Sequence, residues 1–560
     1  MVLILLVGAL VRFWNLAGPD MTTDDATYSY RSIGYVDFMA ATNLQSTPAT
    51  WFPETVWWQK LSFHDAPPLV FLAQWTTFKI FGVNQFAARL PFALAGILAI
   101  YCLYLLGRQV GVEKMGLLAA GLTAIANYPV WLSRIGYLDG FLVPIIALSI
   151  YFFLRFKDNP NDPRNYIWWG VTCGLGLLTK YTFLFMLPLF LILIAHQLYY
   201  RNLTHKIHKK KLLAGIIACL IIVSPVIIYN LEMYRARGHF DAAISTMLGD
   251  KPDDFKGLSR TKEFDPTTVA KEFVLDKPFS LVILLLAIYG FIASISMIGW
   301  LVGGTLLAIL ELVVIGSLGW LGAILIPFMI ILAALGIDRI WQKVSSSQFR
   351  KPALVPLVLG VILIILELSV TIDSQLAPAK LLRTPILATS YQASWQGFSE
   401  LEKFVSNFYK ENNAISNTLT YSEYPQLAEI QKKLFLESIE QEKWRPIGQK
   451  HLLILDERVD WFASFWIMER RRFYDRAPIH IASEFVEKTS GLAAFKFYND
   501  LGFVDATAIV ASDSLARSAG HSSSVAEFAK LMRSEVPLVA EIRDPQGKVA
   551  FEIYTFALTR

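Results

Sequence analysis

The stretch "GPDMTTDDATYSYRSIGY", residues 18–35, puts two adjacent carboxylates, Asp24 and Asp25, with Tyr28 close behind, directly after the apolar opening "MVLILLVGALVRFWNLA". Adjacent like charges repel, so the pair is either a solvated loop detail or something a site requires. Three further groups of the same kind follow. His64 and Asp65 stand before Pro67-Pro68 in "FHDAPPLVFLAQWTTFKIFG", where the prolines dictate an extended lead-in and an apolar helix starting at Pro68. Arg134 and Asp139 lie in "SRIGYLDG", and Lys180 in "GLLTKYTF". The bland readings are a helix start, an Arg134–Asp139 pair, and a lysine snorkelling to an interface. The chemical reading is group transfer. A carboxylate within reach of a hydroxyl takes its proton as a new bond forms. Fixed cations hold a leaving phosphate as its charge grows.

The elements that must position these groups are membrane helices. The chain has 560 residues, 54% hydrophobic and only 17% charged, against roughly 25% charged in soluble proteins. A net charge of +5, spread in short clusters, argues against nucleic acid as a partner. Cys102, Cys173 and Cys219 sit in apolar runs with no CxxC or CxxH spacing, so neither a zinc site nor a disulfide framework is expected. His64 and Asp65 suit a divalent cation, but two ligands do not define a metal site, and whether one is bound is left open. Eleven spans are expected: 1–17, 87–107, 115–132, 140–156, 166–180, 182–200, 212–230, 279–299, 303–320, 322–340 and 353–372. The first lacks a basic n-region and a small-residue cleavage site, and reads as a span rather than a cleaved signal peptide.

Lys and Arg collect in "RFKDNPNDPR", "RNLTHKIHKKK" and "DRIWQKVSSSQFRK", which places those loops in the cytoplasm. Residues 18–86, 133–139, 231–278 and everything after 372 then face outside, and so do all four polar groups. Charges near lipid depth cost about 2.5–3.5 kcal/mol on insertion scales and mark cavities. The domain expectation is a transmembrane domain over 1–372, with a first outer loop at 18–86, and an extracytoplasmic α/β domain over 373–560. The latter rests on amphipathic "ELEKFVSNFYKENN" and "EIQKKLFLESIEQEKW" and on strand-like "HLLILDE", "PIHIAS", "TAIVAS" and "FEIYTFAL". "FYNDLGF" at 497–503 resembles an acetyltransferase signature, but no Gly-rich pyrophosphate loop accompanies it and acetyl-CoA is a cytoplasmic cofactor.

In order along residues 10–200, the motifs resemble a family. "RFWNLAGPDMTTDDATYSYRSIGY" is similar to the opening of polyprenyl-phosphate-sugar-dependent glycosyltransferases, the protein O-mannosyltransferase and aminoarabinose transferase superfamily with the GT-C fold. Asp24-Asp25-Ala26-Thr27-Tyr28 matches that family's "DE-A-x-Y", with Asp25 for the usual Glu. "HDAPPLVFLAQWTTFKIFGVNQFAARLPFALAGILAIYCLYLLGR", "LSRIGYLDGFLVPIIALSIYFFLRF" and "GLGLLTKYTFLFMLPL" resemble its later segments, and "AILIPFMIILAALGIDRI" does so weakly.

The resemblance implies a multi-pass protein of the cytoplasmic membrane, moving a sugar from a polyprenyl-phosphate donor to a protein or glycan hydroxyl outside, with inversion. It also implies roles: Asp24 as base or acceptor-positioning acid with Asp25 beside it, Tyr28 and His64 at the substrate, Arg134 and Lys180 at the lipid phosphate, and Asp65 and Asp139 shaping the cavity. Three departures bear on activity. Asp25 is one methylene shorter than Glu, Ala66 stands where a Lys or His is usual, and "GWLGAILIPF" lacks the usual Arg/His-Tyr. A glycolipid-modifying transferase and a lipid-linked sugar flippase or transporter are the alternatives. Transporters often carry internal repeats, and none is evident here.

Overall fold

The computed structural model describes residues 1–35, 37, 57–199, 208–250, 252, 267, 271, 275–295, 299–315, 319–345, 354–376, 389–411, 450–458, 461–471, 474, 479–487, 503–516 and 523–558. Contacts divide the chain into two units. One comprises Met1–Leu16, Met39–Asn43 and Glu54–Ala393, and the other Ala17–Phe38, Leu44–Pro53 and Ser394–Arg560. The segment 17–38, read from sequence as part of the first loop of the membrane domain, therefore clusters with the C-terminal residues. "EIQKKLFLESIEQEKW" and most of "FYNDLGF" lie outside the described residues.

The first unit is helical. Among the described residues five helices are long and apolar enough to cross a membrane: Gln85–Val110, Asp139–Asp158, Lys209–Arg237, Gly322–Ser345 and Leu357–Leu376. Shorter apolar helices include Val2–Phe13, Leu69–Phe81, Tyr181–His196, Leu281–Ser294 and Leu301–Val313. The protein is a multi-pass membrane protein. Helix starts follow local chemistry: Asn84 Oδ1 accepts from the Ala87 amide at 2.9 Å, and Asp162, with Pro163 next to it, accepts from the Arg164 amide at 3.0 Å. The helix after Pro68 begins at Leu69.

The stretch 115–132, expected as one span, is two helices, Glu113–Ile125 and Asn127–Leu132, with Ala126 extended between them at ψ 137. Side chains take up the carbonyls that this break frees. Arg12 donates to Ala124 O at 3.1 Å and Thr123 O at 2.9 Å, and Thr371 Oγ1 donates to Ile125 O at 2.6 Å. Such repair is what makes a broken helix tolerable at membrane depth.

Small residues set how closely helices cross, because apolar surface alone drives little association in lipid. A Cβ on Gly170 would fall 1.8 Å from the Gly215 carbonyl oxygen, where helix Pro163–Thr179 meets Lys209–Arg237. Gly290 and Gly336 do the same for Leu281–Ser294 and Ile326–Ser345.

The second unit is built on a five-stranded sheet, β1 (Lys450–Leu455), β2 (Ile479–Ile481), β3 (Phe503–Ala511), β4 (Leu538–Arg543) and β5 (Val549–Ala557), in the order β2-β1-β3-β5-β4. β1 runs parallel to β2 and β3, and β5 antiparallel to β3 and β4. Alternation sends Leu453, Leu455 and Ile509 to one face, under Phe398, Leu401, Ile467 and Met468. Leu452, Ile454, Ala508 and Val510 go to the other, under Phe485, Val525, Phe528 and Met532. The four strand-like runs are strands. β4 escaped the sequence reading because it is largely exposed, with only Ile542 buried, so it carries no alternation.

Candidate functional site

In the first unit the polar groups gather around the break after helix Pro163–Thr179. Lys180 is extended at φ −162, and a 3-10 turn Tyr181–Phe185 follows. Two consecutive side chains thereby leave the helix for different partners. Lys180 Nζ donates to Asp139 Oδ2 at 2.6 Å. Asp139 is the first residue of helix Asp139–Asp158, where the helix dipole also favours an acid. It is 1% exposed, and its Oδ1 has no hydrogen-bond partner among the described residues. Arg134 and Asp139, which could have paired with each other, do not.

The Tyr181 hydroxyl donates a hydrogen bond to Asp241 Oδ2. Asn230 grips the same acid twice, donating from Nδ2 to Oδ2 at 2.9 Å and accepting the Asp241 amide at 2.9 Å. Asp241 Oδ1 accepts from the Ile244 amide at 2.8 Å and so caps helix Ala242–Met247. Burial is the main cause that raises the Asp241 carboxyl above the usual range, and the Asp65 charge adds to it. His64 enters through its carbonyl, which accepts from the Ala242 amide at 2.7 Å. Its Nδ1 lies 3.8 Å from Asp65 Oδ1. These two residues offer two of the ligands that a divalent cation takes.

Arg134 is buried. Its terminal nitrogens donate to the carbonyls of Val11 at 2.8 Å, Arg12 at 2.9 Å and Asn15 at 3.4 Å. It closes the C-terminal end of helix Val2–Phe13.

In the second unit Asp24 and Asp25 open helix Asp24–Gly34 and are not a loop pair. Asp25 is fully buried and Asp24 half-buried. One turn on, the Tyr28 hydroxyl donates to Asp24 Oδ2 at 3.4 Å. Thr23, at the N-cap, holds φ +62 and ψ −157, a region that costs of order 1–3 kcal/mol for a residue other than glycine. The helix is fixed from its other end. Tyr474 donates to the Tyr30 carbonyl at 3.0 Å and accepts the Gly34 amide at 3.2 Å. Upstream, Asp20 accepts from the Gln396 amide, from the Ser399 amide at 2.8 Å and from Ser394 Oγ at 3.1 Å. Those bonds cap helix Phe398–Glu411 from a distance in sequence.

The structure thus joins Lys180 to Asp139, His64 to Asp65, and Asp24 to Tyr28. Asp241, Asn230 and Tyr181 were not singled out in the sequence. The available signal was weak: a polar Asn ending an apolar run and an Asp ahead of a short helix.

Residues 65–229 match the family model described as dolichyl-phosphate-mannose-protein mannosyltransferase. That segment holds Asp65, Arg134, Asp139 and Lys180. No curated protein matches the sequence. Among solved structures, ArnT from Cupriavidus metallidurans bound to undecaprenyl phosphate is 14% identical, with 99% of this chain and 97% of that one covered and a TM-score of 0.47. Archaeal oligosaccharyltransferase AglB from Archaeoglobus fulgidus is 13% identical over 90% of this chain and 69% of that one, at a TM-score of 0.48. The S. cerevisiae protein O-mannosyltransferase Pmt1-Pmt2 complex is 19% identical over 42% and 33%, at 0.32. The class that this chain resembles is the one its motifs pointed to, the polyprenyl-phosphate-sugar glycosyltransferases.

Proposed function

We propose that the protein is a GT-C glycosyltransferase of the cytoplasmic membrane. It transfers a sugar from a polyprenyl-phosphate carrier to a hydroxyl of a protein or glycan acceptor on the outer face. The observation that carries this reading is the match of 65–229 to a family defined by a lipid-phosphate sugar donor, together with the Lys180–Asp139 pair inside that segment. A partly buried ammonium held by one carboxylate oxygen at the end of a helix is a fixed cation of the kind a leaving phosphate needs.

In the proposed step the acceptor oxygen forms a bond to the anomeric carbon as the bond from that carbon to the phosphate oxygen breaks. The acceptor proton passes to the Asp24 carboxylate, which Tyr28 orients. The bonding pair leaves on the phosphate of the polyprenyl carrier, whose growing charge is met by Lys180, while Arg134 holds the end of helix Val2–Phe13. Direct displacement inverts the anomeric centre. Asp25 fixes the start of the Asp24 helix, while Asp65 and Asp139 shape the polar cavity with His64. A divalent cation, where one is used, takes His64 and Asp65 among its ligands. The sheet-bearing unit lies outside the membrane and contributes to acceptor recognition.

The test is transfer of radiolabelled sugar from polyprenyl-phosphate donors in proteoliposomes, comparing wild type with Asp24→Asn. The substitution keeps shape and removes basicity, and a loss of about 10²-fold or more with donor binding retained is expected. Equal transfer by the two proteins removes Asp24 as the base. Absence of transfer with every donor, in protein that binds them, favours a carrier or transporter instead.

A further inference from the structure

The sheet of the second unit contains a feature that the transfer step does not use. β1 and β3 are neighbours and run parallel, yet the next described helices after their carboxyl ends pack on opposite faces of the sheet. After β1 the chain enters the 461–469 helical segment, whose Ile467 and Met468 pack on the face carrying Leu453 and Leu455. The next described element after the β3 exit is helix Ser523–Glu535, whose Val525, Phe528 and Met532 pack on the face carrying Leu452 and Ile454. Where neighbouring parallel strands send their connections to opposite sides, the sheet edge opens a crevice, and this is where ligands of open α/β sheets bind.

The side chains at this edge are polar and held. Asp456, fully buried, accepts from Arg458 Nη2 at 2.6 Å, from its Nε at 2.9 Å, and from the Ala511 amide at 3.1 Å. This ties the β1 exit to the end of β3 and fixes the Arg458 guanidinium in place. Arg458 Nη1 makes no hydrogen bond with a described residue. On the β3 side the Ser512 and Ser514 hydroxyls lie 3.1 Å apart. Arg533 donates to Asp513 at 2.8 Å, to Glu552 at 2.7 Å and to the Ala511 carbonyl at 3.2 Å. Asp513 is 83% exposed.

We propose that this edge is a saccharide-binding crevice, with Arg458, held in place by the buried Asp456, as floor and Asp513, Ser514 and Arg533 as rim. The charges are already answered: Arg458 is paired with Asp456, and Arg533 with Asp513 and Glu552, which disfavours a phosphate or another anion. What remains is a close alternation of fixed donors and acceptors. Vicinal hydroxyls, each both donor and acceptor, satisfy such a set. A neutral oligosaccharide therefore fits, and the transferase reading gives it a role as the acceptor glycan. Only that role rests on the transferase reading, because the binding is measured without turnover.

The experiment is saturation-transfer NMR titration of the full-length protein in lipid nanodiscs. The probes are mannotetraose, maltotetraose and chitotetraose, with tetragalacturonate as the anionic comparison. At least one neutral probe is expected to bind below ~10 mM, and the double variant Asp513→Ala/Ser514→Ala to weaken it by about tenfold. Both side chains are exposed, so the fold is not at risk. No neutral probe bound at that concentration, equal binding by the variant, or binding of tetragalacturonate alone overturns the crevice. Asp24→Asn is expected to bind the neutral probe as wild type does. Saccharide binding without sugar transfer therefore overturns the transferase reading alone, and transfer without saccharide binding overturns the crevice alone.

Discussion

Lys180 and Asp139 show why a side chain's worth depends on its partner. Asp139 is buried and Lys180 partly so, at 2% and 16% side-chain exposure, and the two lie 2.6 Å apart. Removing one member of such a pair leaves an uncompensated charge and costs about 3–5 kcal/mol, whereas removing both is often near neutral. Lys180→Met is therefore expected to lower the melting temperature sharply, and Lys180→Met/Asp139→Asn to recover most of the loss. Thermal unfolding of all four proteins in one detergent closes the cycle.

Asp20 gives the pH counterpart. Burial pushes its carboxyl up to about 6, against the opposing pull of the hydrogen bonds from Gln396, Ser399 and Ser394. An unfolded aspartate titrates near 3.9, so across the ~2-unit window the folded unit binds a proton that the unfolded chain releases. Stability contributed by Asp20 is thus present at about pH 4 and lost as pH rises through about 6, by about 3 kcal/mol in all. Denaturation at pH 4.5 and at pH 7 checks this, and Asp20→Asn is expected to flatten that part of the profile.

At the scale of elements, two kinds of sequence signal behaved differently. Apolar runs located helices well, and Pro68 stands at a helix start as expected, whereas the caps Asn84 and Asp162 were recognised only in the structure. Hydropathy did not detect the break at Ala126, because what stabilises it is supplied by Arg12 and Thr371, far away in sequence. Helix crossings are likewise set by contact. Gly170→Ala drives a methyl into the Gly215 carbonyl and is expected to cost about 1–3 kcal/mol. At Gly303 a Cβ meets nothing within 4 Å, so Gly303→Ala is expected to be neutral or to stabilise by up to about 1 kcal/mol. Melting temperatures of the two variants side by side make the comparison.

At the scale of the whole molecule, orientation is the property that sequence charge predicts and packing does not test. The positions of the basic loops predict residue 161 inside and residue 390 outside. With Cys219 replaced by alanine, and Cys102 and Cys173 buried, Ser390→Cys in intact cells is expected to react with an impermeant maleimide. Asn161→Cys is expected to react only after lysis. The reverse pattern inverts the membrane topology and puts the proposed chemistry on the cytoplasmic side.

Composition and hydropathy by themselves determined that this is a multi-pass membrane protein, and motif order determined which enzymes it resembles, because both are properties of local chain. The four strand-like runs were legible for the same reason: two-residue alternation records which face is buried. What tertiary structure alone decided is who meets whom. Lys180 takes Asp139, and the potential partner Arg134 instead closes a helix end, because a helix break of one residue aims consecutive side chains in different directions. Asp241 joins the polar cluster through Tyr181, which no spacing in the chain announces. Residues 17–38 cluster with residues 394–560 because Asp20 caps a helix that begins at Phe398. Hydrogen bonds between residues hundreds of positions apart leave no periodicity behind, so only the folded chain reveals them.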